Sequence, residues 1–198
     1  MSKFLGPIHY WLYKKIGFQE ELTSKMAERA ALEKWEITNL DEYYLKEMPA
    51  LEDVIDEGNI HGWLQGRIRQ AENKFAGFVK RALDADESNI DVLKEVAYEF
   101  GKSNAMEGDV TPRDAYRILD DVLVNGMPCD RVNVLVTQED EDFLWKQEMD
   151  IHKEYWDAVG LSSEIYYDLR SEIIRGMLSN SNLEFSFTNG SIYEIKVA

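Results

Sequence analysis

From Ile60 to Leu83 an apolar residue recurs every three or four positions. Ile60, Leu64, Ile68, Ala71, Phe75, Val79 and Leu83 fall on one stripe, and Arg67, Arg69, Glu72, Lys74 and Lys80 lie largely off it. A period near 3.6 kept up over this length fits an amphipathic α-helix and no strand. Such a helix must bury its stripe against other elements, and most of the remaining chain offers helical partners for it.

Pro7 suits a first helical position, and Ile8, Trp11, Leu12 and Ile16 share one face after it. Leu22, Met26, Ala30 and Glu33 continue the spacing beyond Gly17, as one long helix or as two. Asp41 can cap a short turn of helix, and Pro49 opens another short piece through Ile55. Leu93, Val96, Ala97 and Phe100 mark a helix that Gly101 is expected to end. Thr111, Pro112 and Asp114 form a strong helix start, and Tyr116, Leu119, Val122 and Leu123 give that helix its apolar face. Arg131 to Val136 reads as a short strand or an extended linker. Thr137 to Asp140 is expected to open a helix that runs through His152 to Gly160, with Leu144, Ile151, Tyr155 and Ala158 on its main face. Ser162 or Ser163 caps a last helix, with Ile165, Leu169, Ile173 and Met177 inward.

At the end the period changes from helical to alternating. Leu183, Phe185 and Phe187, then Tyr193 and Ile195 beyond Asn189-Gly190, put large apolar groups on one side of a hairpin. A three-residue loop with Gly190 left-handed keeps that side apolar, and is expected to pair Phe185 with Tyr193 and Leu183 with Ile195. The ribbon is expected to dock on the chain's own helices, with dimerisation as the lesser alternative. The fold class that follows is mainly α: a bundle-like domain of about six to seven helices with a small C-terminal β-hairpin. The length of 198 residues suits a single domain over 1–198, with a helical core about 7–178 and the hairpin about 183–197.

Charge narrows the partners. Twenty-two basic against thirty-eight acidic residues leave a formal charge of −16, which repels phosphate backbones and anionic membranes. No nucleic acid and no membrane are therefore expected; a cationic protein or a metal ion fits better, and the hairpin, not the charge, leaves room for a homodimer. The lone Cys129 cannot form an internal disulfide, which points to the cytoplasm. Met1 to Pro7 lacks the apolar run of a signal peptide.

Three histidines carry the candidate chemistry. Each follows isoleucine and precedes tryptophan: Ile8-His9 with Trp11, Ile60-His61 with Trp63, Ile151-His152 with Trp156. Glu57 and Glu148 stand four residues before His61 and His152, a spacing that puts carboxylate and imidazole on one helical face. Facing helices with such pairs can enclose an ion, and nitrogen with carboxylate oxygen suits iron, manganese or zinc. The expected ligand set is His9, His61, His152, Glu57 and Glu148, a metal or cofactor site of an oxidoreductase-like protein. The alternative is a non-enzymatic acidic interaction module whose histidines are structural. Asp84, Asp86, Ser88 and Glu95 follow the order of a calcium loop, but Asn89 stands where glycine belongs, and a helix cap at Ser88 explains the stretch better. Phosphate loops, dinucleotide fingerprints and nucleophile elbows do not occur in the sequence.

Overall fold

The computed structural model describes residues 5–198; part of the Met1–Pro7 reading thus lies outside the described residues. The long apolar stripe forms α3, Ile60–Ala85, whose first turn is capped by the Asn59 side chain accepting from the Gly62 N–H. Ile60, Leu64, Ile68, Ala71, Phe75 and Val79 are buried along it. α3 packs on α1, Pro7–Leu32, which passes Gly17 without a break and stays one helix. A short 3-10 turn at Leu40–Glu42 and the single turn of α2, Leu51–Val54, cross between them. The mainly α class with a C-terminal β region is what the chain adopts: seven helices and one sheet among the described residues.

α4, Asn89–Ser103, follows α3 through a turn in which Asp86 Oδ1 accepts from the Ser88 N–H; the Ser88 side chain itself makes no cap bond. Gly101 does not end α4. It sits where α4 crosses α7, Glu164–Leu178, opposite Gly176. A Cβ on Gly101 would lie 2.1 Å from the Ile173 carbonyl oxygen, and one on Gly176 would lie 2.1 Å from that of Tyr98. Only two glycines let these backbones come so close. α5, Pro112–Asp120, starts as expected, with Thr111 Oγ1 accepting from the Asp114 N–H.

The expected helix from Thr137 to Gly160 is not there. Its first half is sheet: β1, Asn133–Gln138, turns into β2, Asp142–Gln147. Phe143, Trp145 and Gln147 are buried, with less buried neighbours between them, a period of two. Only Lys153–Ala158 is helical, as α6. β3, Leu183–Thr188, and β4, Ile192–Val197, complete an antiparallel sheet of order β1-β2-β4-β3. The hairpin loop has three residues with Asn189 and Gly190 both at positive φ. Phe187 pairs with Tyr193 and Phe185 with Ile195, a register two residues from the expected one. A shift of two preserves the faces, so Leu183, Tyr193 and Ile195 are still buried together. Trp145 stacks on Tyr193 across β2 and β4, at 5.0 Å between ring centroids. No helix among the described residues is long and apolar enough to cross a membrane.

Candidate functional site

The chain from β2 into α6 lies against the middle of α3, and Asp150 fixes how it does so. Asp150 Oδ1 accepts from the His152 and Lys153 N–H groups at 3.1 and 3.0 Å, starting α6. The same carboxylate accepts from Tyr167 Oη at 2.7 Å and from Ser163 Oγ at 2.6 Å. Partial burial pushes the Asp150 carboxyl up, but these hydrogen bonds outweigh it and hold it below the ordinary aspartate value. Burial, with the Asp150 carboxylate beside it, pushes the Tyr167 hydroxyl far up, so it stays a donor. Tyr167 also accepts from Gln147 on β2, whose Oε1 accepts from Tyr193 Oη at 3.1 Å. The sheet, α7 and α6 are thus tied through one polar chain.

This anchoring drives His152 inward onto α3. The residue is 1% exposed, and its ring stacks on Tyr166 at 3.7 Å. His152 Nδ1 lies 3.1 Å from Glu72 Oε2, and Gln19 Nε2 donates to Glu72 Oε1 at 3.1 Å. Glu72 is as deeply buried as the histidine. An Nδ1–H donating to the carboxylate leaves the proton off Nε2, which is itself buried and has no hydrogen-bond partner. Glu72, His152, Ile68 and Tyr155 line a cleft of about 310 Å³, with Asp130 and Glu154 exposed beside them. Burial and Glu154 raise the Tyr155 hydroxyl to about 12.

No family model matches the chain. No curated protein and no solved structure matches it either. What the site can do rests on its own geometry.

The other expected ligands lie elsewhere. His9 is buried at the start of α1, where its Nδ1 accepts from the Gly6 N–H at 2.9 Å. That bond places the ring proton on Nε2, so neither nitrogen has a lone pair free for a metal. Its ring meets the exposed His61 ring edge-on, 5.6 Å between centroids. His61 and Glu72 share α3 and stand about 16 Å apart along it at ~1.5 Å per residue, so His152 does not join the other two. Glu57 is exposed in the turn before α3, and Glu148 follows β2 and pairs with Lys146 at 2.9 Å. Neither carboxylate shares a helix with its histidine, so the expected one-face geometry is absent. Among the described residues no group of three or more histidine, cysteine or carboxylate side chains could hold a metal ion.

Sequence reasoning missed Glu72, Gln19, Lys15 and Arg170, all buried. Glu72 was discernible as the neighbour of Ala71, four residues after Ile68 and three before Phe75, which puts it on the margin of the stripe rather than off it. Arg170 on α7 donates to Asn125 Oδ1 at 2.7 Å and to the Val124 carbonyl at 3.5 Å, holding the loop beside the cleft.

Proposed function

We propose that the protein is a non-enzymatic acidic binding module whose cleft between α3 and the start of α6 receives a cationic nitrogen group, such as the lysine or arginine side chain of a protein partner. The observation that carries this reading is His152: buried, committed through Nδ1 to Glu72, unpartnered at Nε2, and lining a cleft edged by the Asp130 and Glu154 carboxylates. The two carboxylates at the rim of the cleft supply the counter-charge for such a group, and the buried His152 ring behind them has no partner at Nε2. A net charge of −16 adds long-range attraction for such a partner.

Calorimetric titration with agmatine and with a short arginine-rich peptide tests this. Asp130→Asn/Glu154→Gln is expected to weaken binding roughly tenfold or more, while Glu28→Gln/Glu99→Gln, with the same loss of charge on another face, leaves it nearly intact. Equal weakening by both pairs would mean general surface attraction and would overturn the reading.

A second reading is a single iron, manganese or zinc ion held from His152. One observation favours it: a carboxylate behind Nδ1 is how proteins orient a metal-bound imidazole. Metal analysis of protein purified without a histidine tag separates the two. Near-stoichiometric metal that disappears in His152→Ala supports the ion, and substoichiometric metal unchanged by that substitution removes it.

A further inference from the structure

β1 is an edge of the sheet, bonded to β2 on one side only. Val134, Leu135 and Val136 are 46%, 49% and 57% exposed. Val134 and Leu135 are successive strand residues and point to opposite faces, so their exposure leaves both faces of the strand open. From Asn133 to Gln138 there is no charged residue, in a chain that is 30% charged. Exposed edges are ordinarily guarded by lysine, proline or a bulge. β1 has only the bulge, which leaves Val136 unpaired between Leu135↔Trp145 and Thr137↔Leu144.

Charge returns at both ends: Arg131 precedes the strand, next to Asp130, whose carboxylate accepts from the Met127 N–H, and Glu139, Asp140 and Glu141 follow it. Arg131 and Glu139 are exposed, and among the described residues neither is in an ion pair.

We propose that β1 pairs antiparallel with β1 of a second copy of this chain, centred on Leu135, joining two four-stranded sheets into one. Strand addition satisfies the open backbone groups of both edges at once. About a two-fold axis at Leu135, the two leucines lie opposite each other and each Val134 faces Val136 of the second copy. Arg131, two residues before the strand, and Glu139 of the second copy, one residue after it, then lie at the same end of the joined pair, twice. Parallel pairing would instead set Arg131 beside Arg131 and the acidic run beside itself. Two molecules of charge −16 repel, and the strand itself adds no charge to that repulsion. One short ladder is smaller than the roughly 1,200–2,000 Å² of a stable interface, and the bulge interrupts it, so the dimer forms only as concentration rises.

Sedimentation velocity of the full chain tests this between about 5 and 500 µM at about 0.15 M salt. The mass is expected to rise from 23.0 kDa toward twice that value. Leu135→Lys, at an exposed position, is expected to stay monomeric with an unchanged melting temperature. Arg131→Asp and Glu139→Arg are each expected to weaken the dimer several-fold, and the double variant to restore it, since opposite charges again lie at the same end. A monomer at every concentration would overturn the proposal, as would a dimer indifferent to Leu135→Lys. Two weakened single variants without rescue in the double would overturn the antiparallel register.

Discussion

Glu72 has both carboxylate oxygens engaged, by Gln19 and by His152, and this decides which ring nitrogen of His152 carries the proton. The same logic assigns His9 oppositely, because its Nδ1 accepts from the Gly6 N–H. In the neutral state, nitrogen-15 spectra are therefore expected to show the Nδ1–H tautomer for His152 and the Nε2–H tautomer for His9. The same tautomer in both would refute one of the two assignments. Lys15 is the other informative residue. Burial, opposed by Asp120 at 3.5 Å, pulls its pKa down to about 8, and its Nζ lies 3.5 Å over the Trp11 ring. A depressed lysine pKa means that the unfolded chain binds more protons between pH 8 and the ordinary lysine value of 10.5, so stability from this group rises with pH across that window. Below it the full penalty stands, on the order of 3 kcal/mol. Lys15→Met is thus expected to be more stable than the parent near pH 7, with the difference shrinking toward pH 10.5 in parallel denaturant titrations. A constant difference would show that Lys15 is not desolvated. These placements were hard to read from sequence because a shared Ile-His context says nothing about which helix each ring meets, whereas Glu72 owes its burial to one neighbouring position on α3.

Among the elements, α3 and the start of α5 were legible because one principle governs each: an unbroken apolar stripe, and a threonine cap before proline. β2 was not, because Leu144 and Ile151 continue a helical spacing by chance into Tyr155, while the decisive alternation of Phe143, Trp145 and Gln147 is only three buried positions long. Glycine was misread at Gly101 for a related reason. A helix terminator and a close helix crossing both call for the residue without a Cβ, and only the position of α7 tells them apart. The crossing is expected to be intolerant: Gly101→Ala and Gly176→Ala each force a methyl against a carbonyl oxygen, costing about 1–3 kcal/mol or more. Gly66→Ala, on α3 with nothing near its added Cβ, should be neutral or slightly stabilising. Chemical denaturation of the three variants checks this, and a harmless Gly101→Ala would mean that the helices can part without loss.

At the scale of the whole molecule, the C-terminal hairpin is bound in from two sides. β4 pairs with β2 along five residues, and β3 lies against α7. Its inner face, Leu183, Tyr193 and Ile195, is 8%, 1% and 0% exposed and belongs to the same cluster as Phe75 and Trp156. Tyr193 also closes the polar chain through Gln147 and Tyr167 to Asp150, which sets His152 in place. The hairpin therefore supports both the core and the candidate cleft. Burying each large side chain contributes roughly 1.5–3 kcal/mol, so three of them approach the 5–15 kcal/mol that holds a domain of this size together. Deleting residues 183–198 is expected to lower the melting temperature by about 10 °C or more, or to abolish the cooperative transition. Ile195→Ala, a milder cut at a fully buried position, should cost about 2–5 kcal/mol and leave a folded protein. Tyr193→Phe separates the two roles of the hairpin. It keeps the ring stacked on Trp145 and removes only the bond to Gln147, so its melting temperature should fall little. Because the tautomer of His152 is held by Glu72 on α3, its nitrogen-15 signature should survive that change, while any ligand affinity of the cleft falls with the loosened Asp150 anchor. A deletion variant that melts as the full chain does would place the hairpin outside the core and break this chain of support at its first link.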